Sequence, residues 1–298
     1  MENILETLKT APHESIPELA HKKFVEVYSQ KFGSSDAEAF YEEQKNLFIS
    51  EMSNGSYKDF LKSATGESIY FAFLFLAING LSIEKGSTTT CYLECKRVKI
   101  GEQQGKDGKT YPVYQPNACI TVTGYGEIVL RQRAGQITSV DSPKVVYDCD
   151  TLRFGERDGK SYLEYEKAIP RPMGSKIIAC FIKIVKTDKT YDYFVLDRDE
   201  ILRLKNYSGN ANKYWDNDRK CYIMRPNALY GTAEDGSDID TGFLKSKTVK
   251  HAFKGYPKLK IGAGGSLEAD KDIEQVDNTP APAPSKTEDN NPDDPFNS

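Results

Sequence analysis

Residues 69–78 read IYFAFLFLAI, the longest apolar run in the chain. Wound as a helix, such a run is apolar on every side, so it has no face to offer water and must be enclosed by the rest of the protein. Ten residues fall well short of the ~18 that span a bilayer. The run is therefore the centre of a core. Thr65 stands where an N-cap belongs and Gly80 where a helix stops. Upstream, residues 15–32 and 36–52 carry apolar side chains at helical spacing, closed by Gly33 and Gly55. Residues 1–85 thus predict a helical region packed around residues 69–78. The opening MENILETLKT is too acidic and polar for a secretory signal, so a cytoplasmic protein with no membrane association is expected.

The pattern changes at Thr88. TTTCYLECKRVKI is rich in β-branched residues, and a polar Gly-Lys-Asp loop leads from it to a second extended segment at 111–123. A short helix is predicted over 125–134, between Gly124 and Gly135, followed by strands over 137–140 and 144–149. Asp158-Gly159 between 152–154 and 162–166 marks a hairpin, and residues 177–186 and 191–196 form another. Asp197 and Glu200 make an acidic capping box for a helix over DRDEILRLKN. The polar stretch 208–240 holds Trp215, and a last helix runs over 241–254, stopped by Gly255 and Pro257. The predicted class is α+β: an antiparallel sheet core with flanking helices behind a helical N-terminal region.

Net charge divides the chain in the same way. Residues 1–85 carry 8 Lys+Arg against 13 Asp+Glu, residues 86–260 carry 30 against 22, and residues 261–298 carry 2 against 9. A basic centre between acidic ends fits a nucleic-acid-binding core over 86–260. From Ala263 onward there is too little apolar surface to offset ordering entropy, so 261–298 predicts a disordered acidic tail. Its NPDDPF (291–296) is similar to the acidic tip of bacterial single-strand-binding proteins; a solubilising tail is the plainer reading. The six cysteines include no CxxC and have no histidine nearby, which predicts reduced thiols and no zinc site.

Candidate binding groups lie in the basic centre. On a helix over 241–254, Lys247, Lys250, His251 and Lys254 fall on one arc, opposite Val249, Ala252 and Phe253. Such a face suits phosphates, or is a solvated face beside a helix C-terminus. Arg131 and Arg133 close the 125–134 helix, where they compensate its dipole or contact a DNA backbone, with Arg153, Arg198 and Arg203 as companions. Tyrosines between these cations (Tyr111, Tyr114, Tyr125, Tyr147, Tyr162, Tyr165, Tyr191, Tyr193, Tyr207 and Tyr214) are candidates for stacking on unpaired bases, although core or strand packing is commoner for any one of them. Residues 242–248 (GFLKSKT) lack both the second P-loop glycine and a leading strand, so they predict no ATP site. With three histidines, acid–base chemistry has little material. Asp148-x-Asp150 and Glu94-x-Lys96 could be drafted into a metal-dependent nuclease, although such short patterns are frequent on exposed strands and a structural role is the plainer reading unless a third carboxylate converges on them.

Five segments in order resemble the RecT family of phage single-strand annealing proteins. GYGEIVLRQRAGQI (124–137) is similar to that family's core signature, and VVYDCDTLRF (145–154) follows at similar spacing. IIACFIKIVKTDKTYDYFVLDRDEILRLKNYS (177–208) resembles its hairpin and following helix, KSKTVKHAFKGYP (245–257) its closing Lys-Thr helix, and SIYFAFLFLAINGLSI (68–83) its buried helix. The resemblance covers roughly 66–260. It implies ATP-independent binding and annealing of single-stranded DNA in phage-type recombination, without covalent catalysis. It further implies self-association into rings or filaments, an exonuclease partner, host single-strand-binding machinery nearby, and no required cofactor beyond Mg2+ bridging phosphates. Carried onto this chain, it implies Arg131, Arg133, Lys144, Lys247, Lys250 and Lys254 as phosphate contacts. Gln132 and Ala134 interrupt the family's usual arginine pair. The rival expectations are a single-strand binder that protects without pairing, and the nuclease.

Overall fold

The apolar run becomes the helix around which the N-terminal layer is built. The computed structural model describes residues 4–105 and 108–267. Six helices come first: α1 (Ile4–Thr10), α2 (Ile16–Leu19), α3 (His21–Phe32), α4 (Ala37–Asn54), α5 (Lys58–Leu61) and α6 (Gly66–Asn79). Thr65 Oγ1 accepts the Ser68 amide at 3.2 Å, and Gly80 closes α6 in the left-handed conformation, as the sequence predicts. Phe73 stacks on Phe24 at 4.8 Å and meets Phe48 edge-on at 5.2 Å, all three fully buried. The expected helix over 15–32 is divided between α2 and α3 at Ala20. No helix among the described residues is long and apolar enough to cross a membrane.

β1 (Cys91–Gln104) and β2 (Thr110–Val122) form a long antiparallel hairpin with a bulge between Lys99 and Gly101. Its inner end supplies Cys91, Leu93, Ala118, Ile120 and Val122 to the same core as α6, while its outer half stands exposed. α7 (Gly124–Arg133) follows at once, capped by Thr123 Oγ1, which accepts the Gly126 amide at 3.2 Å.

The second sheet is organised by β7 (Ile177–Lys186). Along one edge of it β3 (Ile137–Val140) and β4 (Lys144–Tyr147) pair one after the other; β8 (Tyr191–Asp197) pairs along the opposite edge. The hairpin β5 (Thr151–Arg157) and β6 (Lys160–Glu166) turns at Asp158 and Gly159, both at positive φ, as the Asp-Gly signal predicts. This hairpin lays Leu152, Leu163 and Tyr165 over Val146, Ala179 and Phe181. The opposite face of the sheet is covered by α8 (Arg198–Ala211) through Ile201 and by α9 (Thr241–Ala252) through Leu244 and Val249. Asp197 Oδ1 caps α8 by accepting the Glu200 amide at 2.9 Å; the Glu200 carboxylate pairs with Arg203. Within 208–240 a small hairpin, β9 (Tyr214–Asp216) with β10 (Cys221–Ile223), sets Trp215 against Tyr222 at 5.1 Å.

Two corrections follow. The first sheet is mixed rather than antiparallel, because β11 (Gly265–Leu267) pairs in parallel with β2. These residues fall within the segment read as a disordered tail, yet Leu267 is buried in the N-terminal core. A Cβ on Gly264 would collide with the Phe71 carbonyl, and one on Gly265 would enter the Phe75 ring. Glycine lets this backbone lie against α6, and the same glycines make the segment look like linker. Residues 268–298 lie outside the described residues.

Candidate nucleic-acid interface

The signature helix α7 is a joint. Leu130 and Val129 pack into the N-terminal core, whereas Tyr125 and Ile128 pack with Val249 and Phe253 around α9. Its glycines permit the close approach: a Cβ on Gly124 would sit 2.9 Å from the Lys250 amide nitrogen. The two arginines extend in opposite directions from this joint. Arg131, 2% exposed, bonds Glu127 Oε1 through Nε at 2.9 Å and Nη2 at 2.5 Å, and donates to the Pro257 carbonyl at 3.0 Å. Its guanidinium lies over Phe253 at 4.8 Å and Tyr256 at 5.4 Å. Arg133 donates to the carbonyls of Asn79 and Gly80 at the end of α6 and lies over Phe32 at 5.1 Å. The expectation that Arg131 contacts phosphate is overturned, since it is enclosed and paired. Arg133 is engaged with carbonyl oxygens at the C-terminus of α6, and burial holds its pKa below the usual guanidinium value.

The predicted basic arc on α9 is corrected in the same way. The last turns of α9 sink between α7 and the second sheet, so Thr248, Val249, Lys250, His251 and Ala252 are all buried. Lys250 and His251, 4% and 2% exposed, present nothing to a phosphate. Lys247 is half-buried over the Phe243 ring at 5.3 Å, and of that arc Lys254 alone is exposed. A solvated arc would have required the opposite side alone to pack. Among the companions, Arg198 is bound to Asp235 at 2.9 Å, Arg203 to Glu200 at 3.4 Å, and Arg153 lies exposed 4.0 Å from Glu164.

Lys144 is different. It opens β4, the outer edge of the second sheet, and lines a cleft of about 440 Å³ with Val145, Tyr147, Tyr165, Lys167, Arg171, Thr241 and Lys245. Three elements meet there: β4, the end of the β5–β6 hairpin, and the first turn of α9. Lys144 Nζ lies 5.9 Å from the Tyr165 ring centre, and the Arg171 guanidinium lies 3.9 Å over Tyr147. An arginine held on a tyrosine face offers its own plane to a base as well as its charge to a phosphate. The first turn of α9 adds the positive end of a helix dipole to the same rim.

Asp150 fixes this geometry from beneath. Its carboxylate accepts the Tyr147 and Ala168 amides at 3.0 Å each, the Tyr165 hydroxyl at 3.2 Å and Arg171 Nη2 at 2.9 Å. Burial by itself would raise its pKa; the two amides and the guanidinium outweigh that and hold it below the usual carboxylate range. Lys144, Lys167 and Lys245 have no carboxylate within ion-pair distance among the described residues. The three carboxylates that a nuclease would need do not converge. Asp150 is enclosed, Asp148 accepts the Lys176 amide at 3.1 Å, and Glu94 accepts the Thr121 hydroxyl at 2.5 Å on the first sheet. No group of three or more His, Cys, Asp or Glu able to hold a metal is present among the described residues.

Lys167, Arg171 and Lys245 were not singled out from sequence. Arg171 lies in a Pro-Arg-Pro loop without periodicity, and nothing local ties it to Asp150, 21 residues earlier. Fold and site together define an α+β protein with a basic, tyrosine-walled cleft on a sheet edge. No known family model matches the chain, and no curated protein does.

Proposed function

We propose that this protein binds single-stranded DNA and anneals complementary strands without nucleotide hydrolysis, as its resemblance to the RecT family implies. The observation that carries the binding half is the β4 cleft, where three lysines without carboxylate partners among the described residues flank two tyrosines and a tyrosine-mounted arginine. Phosphates supply most of the affinity in such a site, and bases meet planar groups rather than hydrogen-bonding edges, so sequence preference is weak. Annealing makes and breaks no covalent bond. It requires that backbones be neutralised while base edges stay free to pair, and that copies of the protein line up along the strand. Mg2+ would act by bridging phosphates, and an exonuclease or single-strand-binding protein would act by supplying the strand.

The test is the salt dependence of oligonucleotide binding. Each phosphate contact removed should flatten the log–log slope by about 0.7 for a single strand. Lys144→Ala with Lys245→Ala should therefore flatten it by roughly 1.4 and weaken binding alike for all sequences. An unchanged slope removes the cleft from the interface. Mixing complementary strands then separates annealing from protection: acceleration of duplex formation supports the proposal, and retardation makes the protein a protector.

A further inference from the structure

The loop between β6 and β7 carries the two most exposed large apolar side chains among the described residues, Ile169 at 80% and Met173 at 103%. The loop is nevertheless tied down along its length. The Asp150 carboxylate holds its start through the Ala168 amide at 3.0 Å and its middle through Arg171 Nη2 at 2.9 Å. The Ser175 hydroxyl donates to the Pro172 carbonyl at 2.7 Å, and the Lys176 amide donates to Asp148 Oδ1 at 3.1 Å. Pro170 and Pro172 restrict the backbone between these ties. A fixed framework thus presents two apolar tips to water, and a preorganised surface loses little entropy when something covers it. Two depressions meet at this loop. One is the β4 cleft, to which Lys167 and Arg171 belong. The other, about 360 Å³, is lined by Asp148, Cys149, Pro172, Met173, Gly174 and Ser175. The boundary runs between Tyr147 and Asp148 on one segment and between Arg171 and Pro172 on the other. The first depression is cationic. The second has a carboxylate and no lysine or arginine, so it suits an uncharged base and not a phosphate.

We propose that Ile169 and Met173 form an apolar wedge that enters between two successive bases of a bound single strand. One base then lies on the Tyr147–Arg171 side of the loop and the next on the Met173 side, with the phosphates drawn to Lys144, Lys167 and Lys245. The proposal rests on the reading of the β4 cleft as a single-strand site, and adds to it what happens to the bases. Isoleucine, methionine and proline are side chains that part a base step when they are pushed into it. Parting the step costs a stacking contact, which burial of the two exposed side chains offsets. A strand opened at this step is held away from its own internal stacking and hairpins, the state from which pairing with a complement begins.

The experiment uses the full chain and a strand of adenines with one central 2-aminopurine, a base whose fluorescence is quenched by stacked neighbours and rises when they part. Saturating wild-type protein should raise the fluorescence several-fold. Ile169→Thr with Met173→Gln should lose most of that rise, yet keep the salt slope of binding, because no cation is removed. Met173→Leu should retain the rise. A second measurement needs no variant: peroxide should convert Met173 to its sulfoxide readily in the free chain and slowly in the saturated complex, as read by mass spectrometry. That measurement decides the matter should the double variant fail to fold. A wild type that binds the strand without a rise overturns the wedge and leaves the cleft standing; one that binds no strand overturns both. A rise that survives the double variant assigns the unstacking to other residues and overturns the wedge. Met173 oxidised equally fast in the free chain and the complex does so too, and leaves the loop as a surface for a protein partner.

Discussion

Replacing Arg131 by alanine separates a structural arginine from a DNA-binding one. The side chain is 2% exposed and its partner Glu127 3% exposed, so truncation strands a carboxylate in the interior and leaves the Pro257 carbonyl without this donor. Removing one member of a buried ion pair costs about 3–5 kcal/mol. Against a total stability of about 5–15 kcal/mol, that is a large fraction. At roughly 2–4 °C per kcal/mol for a chain approaching this size, the melting temperature should fall by about 6–20 °C. Arg131→Met combined with Glu127→Leu should recover much of the loss, because no lone charge is then buried. Arg131→Lys should recover less, since one ammonium cannot span Glu127, Gln136 and Pro257 at once. Calorimetric melts would be compared with oligonucleotide affinity measured well below the lowest melting temperature. Folded Arg131→Ala should bind DNA as the wild type does. A variant that melts with the wild type but binds DNA poorly would refute the reasoning and restore Arg131 to the interface.

Two further outcomes are expected. Because the Asp150 carboxyl titrates below its ordinary value when folded, its stabilising effect is complete above about pH 4 and is lost as pH falls through the folded value. Thermal melts from neutral to strongly acid pH should show this contribution in the wild type and not in Asp150→Ala, which at neutral pH should cost about 1–3 kcal/mol by leaving buried donors unpaired. Thiol labelling should modify the exposed Cys221 first and leave Cys91 and Cys180 untouched until unfolding, since burial pushes their thiols up to about 12 and about 11; early loss of Cys91 by mass spectrometry would contradict the packing of β1.

Local chemistry was legible where it is determined locally. The Thr65 and Asp197 caps, the Asp158-Gly159 turn and the buried run of α6 depend on residues within a few positions of one another, and each is found as read. Charge was misread where tertiary packing decides exposure. Lys250 and His251 occupy one side of α9 by periodicity, yet α7 covers that side, and the closeness of that crossing depends on Gly124, 126 residues earlier. Of the cleft, only Lys144, Tyr147 and Tyr165 were among the residues considered from sequence. Lys167, Arg171 and Lys245 converge through the pairing of β4 with β7 and through Asp150, neither of which leaves a periodic trace.

The placement of β11 bears on how the chain is made. Its neighbour β2 leaves the ribosome 145 residues ahead of it, by the register of Gly265 on Ile120. The flank of α6 at Phe71 and Phe75 is made about 190 residues before Gly264 and Gly265, so at about 5–20 residues per second it waits roughly 10–40 seconds for its last cover. During that interval the N-terminal layer is an unfinished body with an open seam. A recombinant boundary drawn before Ala263, where composition alone would invite it, would make that seam permanent.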